Sequence, residues 1–299
     1  MLSGVHVPLI TSFDGGQIDF YSHDRLIDHL LGERPNGLVM FGTTGERFLI
    51  SDQEAVALAK RTISAVSGAL PLTLAVGAIS TQEVVNQVRL FEDLEPAAYL
   101  VGSPLYVRPS QENLIRHHAT VATATERPVL LYNIPFRSGI NLTNESILEL
   151  ATIDNILGIK DVCGDLEQTF ALLRLKPDNF AVMAGQDPHY FASLAHGADG
   201  GVLASAHFRT RDFCDMTDLL RGGALLEGRR IWVEELQHLV DVLFEEPSPL
   251  SIKWMMWRLG VISSPECRLP LTQVPDNRTV RLEEVARILT ENMTRRPVS

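Results

Sequence analysis

Near the middle of the chain lies the stretch Asn155-Ile156-Leu157-Gly158-Ile159-Lys160-Asp161. Its apolar part is short and contains β-branched residues, a pattern typical of a strand that is buried on both faces. A lysine is rarely buried without a partner or a purpose. Because burial disfavours the charged form of an amine, a lysine at a strand end can present a neutral lone pair to a ketone carbon. Lys160 is therefore a candidate nucleophile, and a solvated cap on the end of the strand is the alternative.

The same kind of run recurs along the first two thirds of the sequence. Neighbouring runs begin about 20 to 35 residues apart, which leaves room for one helix and two loops between them. Most runs are continuously apolar rather than alternating, as expected when helices cover both faces of a sheet. We therefore predict eight strands, at 5–10, 37–41, 72–76, 98–101, 129–132, 156–160, 180–184 and 200–204.

The segments between these runs carry helix-start signals. The capping-box pattern occurs at 51–54 and at 80–83, each time ahead of an apolar-periodic segment. Ser110 and Thr143 are further candidate caps. Strands that alternate with helices form a parallel sheet, and eight of them favour a closed barrel over an open doubly wound sheet. The predicted fold class is therefore α/β, with a (β/α)8 TIM barrel.

About a third of the chain follows the eighth predicted strand, and this part reads as helices. We expect them near 212–226, 228–244, 248–259 and 279–292, separated by proline and glycine residues. No low-complexity tract or linker separates this part from the rest. The prediction is a barrel over residues 1–225 and a C-terminal helical extension over residues 226–299 that packs on it.

The composition limits the classes of partner. The net charge is −11 without a basic cluster, which argues against binding to nucleic acid or to an anionic membrane. The three cysteines are far apart and form no CxxC motif, so we expect reduced thiols and a cytoplasmic location. No signal-peptide pattern opens the sequence. Residues 62–82 lack charge but contain Pro71 and several hydroxyls, so we predict no membrane span.

In such a barrel, chemistry takes place at the carboxyl ends of the strands and in the loops that follow them. Polar or reactive residues follow six of the eight predicted strands, and we expect these side chains to converge on one face. In chain order they are Gly42-Thr43-Thr44-Gly45-Glu46, Ser103-Pro104-Leu105-Tyr106, Tyr132-Asn133-Ile134-Pro135 with Arg137, Lys160, Gly185-Gln186-Asp187 and Ser205-Ala206-His207.

Three of these groups point to specific chemistry. The glycines around Thr43 and Thr44 let backbone N–H groups turn inward beside two hydroxyls, which would form a small binding site for a carboxylate. The alternative is a tight turn in which the threonines cap a helix. Tyr132 ends the strand next to that of Lys160 and can pass protons to an amine adduct, although a lone tyrosine is more often a core residue. Arg137 can bind a second carboxylate or form a surface ion pair.

The sequence contains no metal or nucleotide motif. His117 and His118 are adjacent on a predicted helix and therefore point about 100° apart, and no HExxH motif occurs. There is neither a P-loop nor a GxGxxG turn after a strand. Cys163 lies close to Lys160 in sequence, but no residue near it could act as a general base. We therefore expect this cysteine to be inert. We predict no metal site.

Five stretches of the chain, in this order and spacing, resemble the dihydrodipicolinate synthase / N-acetylneuraminate lyase family, and the resemblance covers nearly the whole chain. It implies a class I lyase or synthase in which a lysine forms an imine with pyruvate or a related 2-oxo acid. It also implies a homotetramer built from two tight dimers. The stretches are Gly42-Thr43-Thr44-Gly45-Glu46, Pro104-Leu105-Tyr106-Val107-Arg108-Pro109-Ser110-Gln111, Tyr132-Asn133-Ile134-Pro135-Phe136-Arg137-Ser138-Gly139, Gly158-Ile159-Lys160-Asp161 and Phe244-Glu245-Glu246-Pro247-Ser248-Pro249.

The resemblance implies catalytic roles for four residues. Lys160 would condense with the ketone of the 2-oxo acid, and the protonated imine would withdraw electrons from the neighbouring carbon. The family's proton relay would consist of Tyr132, Thr43 and Tyr106, with Tyr106 contributed by a neighbouring subunit. The covalent lysine imine would make a separate cofactor unnecessary.

The resemblance also implies how the substrates are bound. Thr43 and Thr44 would hold the carboxylate of the 2-oxo acid, and Arg137 would bind the carboxylate of the second substrate. Backbone groups at Gly185 and Val202 would line the imine pocket. The partners implied are thus small 2-oxo acids and aldehydes.

Within the family, the Arg137 loop and Tyr106 are most similar to the members that join pyruvate to L-aspartate 4-semialdehyde. Among several departures from the family pattern, Arg47 and Phe136 would place an extra cation and a bulky ring near the pocket mouth. They favour a paralogue on the same lysine chemistry: an aldolase, dehydratase or deaminase for a sugar-derived or hydroxyproline-derived 2-oxo acid. A binding or sensor barrel without catalysis is a third possibility, which the intact Lys160 argues against.

Overall fold

The computed structural model describes residues 2–295. Within them, eight parallel strands pair in sequence order and close into a barrel, because the first strand also pairs with the eighth. The predicted TIM barrel is thereby confirmed. The strands are β1 Gly4–Pro8, β2 Gly37–Met40, β3 Leu72–Val76, β4 Ala98–Gly102, β5 Val129–Asn133, β6 Ile156–Asp161, β7 Ala181–Ala184 and β8 Gly200–Val202.

A helix follows each barrel strand, and the predicted start signals mark several of them. Ser51 and Ser80 each form the complete reciprocal capping box, and Ser110 and Thr143 cap their helices through side-chain oxygens. A short helical turn, Pro135–Ser138, lies between β5 and the fifth helix. The helices are α1 Phe20–Glu33, α2 Asp52–Val66, α3 Thr81–Glu92, α4 Gln111–Ala122, α5 Asn144–Leu150, α6 Leu166–Leu175, α7 Tyr190–Ala195 and α8 Thr210–Arg221.

Two strand ends and one hairpin differ from the prediction. The first strand ends at Pro8, and the eighth ends at Val202 because Ala204–His207 forms a 3-10 turn. A small antiparallel hairpin, Phe13–Asp14 with Gln17–Ile18, was not predicted. Its turn residues, Gly15 and Gly16, both have positive φ. A pair of glycines is a known hairpin signal, but the apolar runs used to predict strands do not include it.

Closure of the barrel depends on close contact between two glycines. Gly4 on β1 pairs with Gly200 on β8. A Cβ atom at position 200 would lie 2.0 Å from the carbonyl oxygen of Gly4, so only glycine fits there. The two ends of the sheet can therefore approach closely enough to pair.

The remaining described helices form the predicted extension: α9 Leu225–Ile231, α10 Gln237–Leu243, α11 Leu250–Arg258 and α12 Thr279–Arg295. The single helix predicted over 228–244 begins at Leu225 instead, and a π-helical turn, Trp232–Leu236, interrupts it. Helix α10 contacts the 3-10 turns that follow β7 and β8, and α11 contacts the turn that follows β8. The extension therefore covers the carboxyl end of the barrel, where chemistry is expected. Between residues 2 and 295, no helix combines the length and the apolar character needed to cross a bilayer.

Candidate active site

A cavity of about 360 Å³ opens at the carboxyl ends of the barrel strands. This volume suits small ligands, because ligand pockets in proteins range from about 300 to 1,000 Å³. Barrel strands or the loops after them provide most of the lining, and residues 244–248 of the extension provide the rest. Seven of the eight site residues singled out from the sequence line this cavity: Thr43, Thr44, Tyr132, Arg137, Lys160, Gly185 and Val202.

Lys160 is buried in the wall of the cavity, with an exposed fraction of 6%. It lies on β6 directly beside its register partner Tyr132 on β5. The Nζ atom of Lys160 is 4.5 Å from the centroid of the Tyr132 ring. The amine therefore packs against the aromatic face of Tyr132 in the wall of the cavity. This burial excludes the alternative of a solvated strand cap.

Gly185, directly after β7, leaves the space that the lysine side chain occupies. A Cβ atom at position 185 would lie 2.6 Å from Cε of Lys160 and 2.5 Å from Cγ2 of Val162. Both distances are shorter than non-bonded carbon atoms normally reach. The glycine is therefore required for the observed position of the amine.

The residue after Lys160 faces away from the cavity because side chains alternate along a strand. Asp161 accepts hydrogen bonds from Thr169 Oγ1 at 2.6 Å and from the backbone N–H of Cys163 at 3.2 Å, which holds the loop between β6 and α6. Burial, together with the charge of Asp161, raises the pKa of Cys163 to about 11. The cysteine is therefore a neutral thiol at pH 7, in agreement with the expectation that it is inert.

The two threonines lie on a 3-10 turn, Thr43–Gly45, that directly follows β2. The hydroxyl of Thr11 donates to the carbonyl oxygen of Gly45 at 2.7 Å and ties this turn to the loop after β1. Thr44 is buried, and its Oγ1 atom lies 3.2 Å from Oγ of Ser248. Two hydroxyls at the cavity wall form the kind of polar cradle that a carboxylate needs.

The loop that carries Arg137 is held by an amide network. Asn133 donates to Asn141 Oδ1 at 2.9 Å and accepts from the backbone N–H of Leu142 at 3.1 Å, which anchors both ends of the loop. Arg137 itself is exposed at the cavity, and its Nη2 atom lies 3.5 Å from the carbonyl oxygen of Ser248. Among residues 2–291, whose side chains the structure describes, Arg137 has no ion-pair partner.

Ser248 and Asp187 also line the cavity, and no role was predicted for either. Ser248, just before α11, contacts both Thr44 and Arg137. Asp187 accepts the backbone N–H of Ser205 at 2.7 Å, and burial raises the pKa of its carboxyl group to about 6. Asp187 was visible as an acid after the seventh strand, whereas the contacts of Ser248 depend on how the extension folds back.

Comparisons with known proteins show the family to which the chain belongs. A sequence model of the dihydrodipicolinate synthetase family matches residues 1–291. The chain belongs to this family. 4-Hydroxy-tetrahydrodipicolinate synthase 2 of Clostridium acetobutylicum is 33% identical over 283 residues, which cover 95% of this chain and 99% of that relative.

Solved structures of the family have the same fold. Dihydrodipicolinate synthase from Thermotoga maritima matches with a TM-score of 0.94 and 28% identity, over 97% of this chain and 99% of that one. The chloride-inhibited dihydrodipicolinate synthase from Acinetobacter baumannii, complexed with pyruvate, matches with a TM-score of 0.90 and 29% identity, over 98% and 99%. This member of the family is thus an enzyme of the lyase or synthase type.

The prediction that Arg47 lies near the pocket mouth is wrong. Arg47 does not reach the pocket mouth: its side chain is buried, donates to the carbonyl oxygen of Ile50 at 3.1 Å and forms an ion pair with Asp52 at the start of α2. The nearby acid and carbonyl hold the guanidinium away from the cavity. Phe136 does line the mouth, where it is 68% exposed and lies 5.6 Å from the guanidinium of Arg137.

Tyr106 is the one predicted site residue that this chain does not bring to its own cavity. It is 88% exposed and adopts a left-handed backbone conformation, with φ 72°, in the loop between β4 and α4. A non-glycine residue adopts that conformation infrequently. The Tyr106 side chain is therefore exposed to solvent rather than packed against its own cavity.

Proposed function

We propose that this enzyme is a class I Schiff-base synthase that condenses pyruvate with L-aspartate 4-semialdehyde to form 4-hydroxy-tetrahydrodipicolinate. The observation that carries the proposal is the buried amine of Lys160, held in the cavity wall between Tyr132 and Gly185. The names of the relatives support this reaction, and the relative complexed with pyruvate supports the first substrate.

The first half of the reaction attaches pyruvate to the enzyme. The neutral amine of Lys160 attacks the ketone carbon of pyruvate, and loss of water leaves a protonated imine. Thr43 and Thr44 would bind the pyruvate carboxylate through their hydroxyls and the backbone N–H groups of the turn. The imine then withdraws electrons, so the methyl group loses a proton and an enamine forms. Tyr132, whose ring centroid lies 4.5 Å from the lysine nitrogen, would carry this proton.

The second half joins the two carbon chains. The nucleophilic carbon of the enamine attacks the aldehyde carbon of the semialdehyde, and the new oxyanion takes up a proton. The amine of the semialdehyde then attacks the imine carbon, which closes the ring and releases the amine of Lys160. Arg137, exposed at the cavity mouth, would pair with the carboxylate of the semialdehyde.

The proposal includes the assembly and the location of the enzyme. Tyr106 would complete the proton relay of Tyr132 and Thr43 in a neighbouring subunit, which its exposure to solvent supports. The assembly proposed is a homotetramer of two tight dimers in the cytoplasm. Because the lysine imine itself supplies the electron sink, the reaction needs no separate cofactor.

Reductive trapping tests the mechanism. Borohydride reduction in the presence of pyruvate is expected to add about 72 Da, the mass of a reduced pyruvate imine, to the peptide that contains Lys160. Lys160→Ala should remain folded and take up no mass. Label on another peptide, or no label on the wild-type enzyme, would exclude the proposal.

Phe136 supports a second candidate function. A bulky ring at the mouth is compatible with a paralogous aldolase, dehydratase or deaminase that uses the same imine on a larger 2-oxo acid. Turnover of pyruvate with the semialdehyde should therefore be compared with turnover of 2-oxo-3-deoxy sugar acids and of a hydroxyproline-derived 2-oxo acid. Trapping with pyruvate but no activity with the semialdehyde would favour the second candidate. Turnover of any of these substrates excludes a barrel that only binds.

A further inference from the structure

A completely buried ion pair joins the active-site threonine turn to the helical extension. Glu46, directly after the Thr43–Gly45 turn, contacts Nζ of Lys253 on α11, and both side chains have an exposed fraction of 0%. Charged side chains are rarely buried to this extent unless they are paired. The pair lies next to the active site, although neither residue lines the cavity.

Both charges have further partners around them. Lys253 Nζ donates to the carbonyl oxygen of Glu266 at 2.7 Å and lies 4.3 Å from the centroid of the Phe13 ring. The carboxylate of Glu46 accepts the backbone N–H of Arg268 at 3.1 Å. Glu46 thus links the end of the threonine turn directly to α11 and to the segment that contains Arg268, while Glu266 and Phe13 surround the Lys253 amine.

The turn has a backbone conformation that needs such fastening. Glu46 has a φ of 52°, in the left-handed region that a residue other than glycine seldom adopts. Its backbone N–H donates to the carbonyl oxygen of Thr43 at 3.1 Å. The orientation of the Glu46 side chain is therefore coupled to the position of the threonines directly before it.

Helix α11 and the segment just before it contact the turn at two places. Ser248, just ahead of the helix, lies 3.2 Å from the hydroxyl of Thr44, and Lys253 within the helix pairs with Glu46. One contact is made at the threonine itself and the other at the end of the turn. Two attachments restrict rotation of the turn more than either one alone.

Stability by itself is a weak reason for burying such a pair. Taking two charges out of water is costly, and well-packed apolar residues often replace a buried ion pair without loss of stability. The better-attested use of a buried pair is to select one arrangement among several. A turn that must present two hydroxyls to one carboxylate benefits from such selection.

We propose that Glu46 and Lys253 are positioning residues that hold Thr43 and Thr44 in the orientation that binds the carboxylate of the 2-oxo acid. The inference rests on the proposed function, because it assumes that these threonines bind that carboxylate. It makes the helical extension part of the first half-reaction, without contact between the pair and the substrate. The second substrate, bound at Arg137, does not depend on it.

The test uses a double variant, Glu46→Gln with Lys253→Met, in the full-length enzyme. Removing both charges avoids leaving one of them buried and unpaired, which would threaten folding. The pyruvate concentration that gives half-maximal borohydride trapping should rise about tenfold or more, because small displacements of binding groups have large effects. The KM of the second substrate, measured at saturating pyruvate, should change less than about twofold.

A matched control removes a similar pair at the other end of the barrel. Lys176 and Asp199 are paired at 3.2 Å, both largely buried, ahead of β7 and β8. The control, Lys176→Met with Asp199→Asn, should leave the pyruvate dependence of trapping unchanged. An equal rise in the pyruvate concentration for half-maximal trapping in the control variant would mean that removing any buried ion pair weakens the barrel. That result would overturn the proposal.

The remaining outcomes also decide the question. A folded double variant with wild-type pyruvate dependence overturns the positioning role. If the double variant does not fold, Lys253→Arg is compared with the wild-type enzyme, because this substitution keeps the charge and changes its geometry. Weaker pyruvate trapping at unchanged thermal stability supports the positioning role. Unchanged pyruvate trapping overturns it. Failure of the wild-type enzyme to trap pyruvate would instead refute the proposed function.

Discussion

A buried histidine beside the active site leads to a quantitative prediction about pH. His207, in the turn after β8, has an exposed fraction of 0%. Its Nδ1 atom lies 2.8 Å from the carbonyl oxygen of Ala204, and its Nε2 atom has no hydrogen-bond partner within the described residues. Burial lowers the pKa of His207 from 6.5 to about 4, and the bond to Ala204 opposes that shift only in part.

The sign and size of the effect follow from proton linkage. Between pH 6.5 and pH 4 the unfolded chain binds a proton at this histidine that the folded chain does not, so unfolding becomes easier as the pH falls. The whole shift corresponds to about 3 kcal/mol, and the part between pH 7 and pH 5 to about 2 kcal/mol. His207→Asn removes this titration while keeping a side-chain N–H that can donate to Ala204.

The assay is urea unfolding at pH 7 and at pH 5, followed by circular dichroism at one protein concentration. The wild-type enzyme should lose about 2 kcal/mol more of its unfolding free energy between these pH values than His207→Asn does. His238→Asn, the same substitution at an exposed histidine next to the start of α10, is the control and should behave like the wild type. Equal losses in the wild type and in His207→Asn, within about 0.5 kcal/mol, would refute the reasoning.

Three further predictions concern the active site. Arg137→Ala should leave pyruvate trapping intact and raise the KM of the second substrate by about ten- to a hundredfold, as expected for a lost charge-assisted bond; weaker pyruvate trapping would contradict this assignment. Gly185→Ala would put a methyl group 2.6 Å from Cε of Lys160, so the rate of pyruvate trapping should fall at least about tenfold in a folded protein. A normal rate would mean that Gly185 does not confine the amine of Lys160. Mixing Lys160→Ala and Tyr106→Phe subunits should restore up to about a quarter of wild-type activity, because half the dimers then contain one intact site; no recovery would argue against a relay between subunits.

The fold was largely predictable because its signals are local. Each barrel strand is an apolar run of a few residues, and the capping boxes at Ser51 and Ser80 span four residues each. Such patterns depend on neighbours in sequence, so they survive without knowledge of the tertiary structure. The π-helical turn in the extension and the start of α9 at Leu225 could not be predicted in this way, because packing on the barrel overrides local helix signals.

The candidate site was predictable where residues follow strands of a closed barrel. Tyr132 and Lys160 were expected on adjacent strands, and the structure makes them register partners. Arg47 was wrongly placed because its direction depends on Asp52 and Ile50, which hold the guanidinium after the turn has formed. The direction of a long side chain depends on the nearest partners in space, which local patterns do not specify.

By itself, the sequence determined the closed parallel barrel, the position of a lysine at the end of β6 and the ring of polar residues at the carboxyl ends of the strands. These follow from residue periodicity and from the rule that parallel strands end on one face. Only the tertiary structure decided that Ser248 and Lys253 reach the threonine turn, and that Tyr106 is exposed rather than packed against its own cavity. Contacts between distant parts of the chain depend on how the extension folds back over the barrel, because no short stretch of sequence contains both partners.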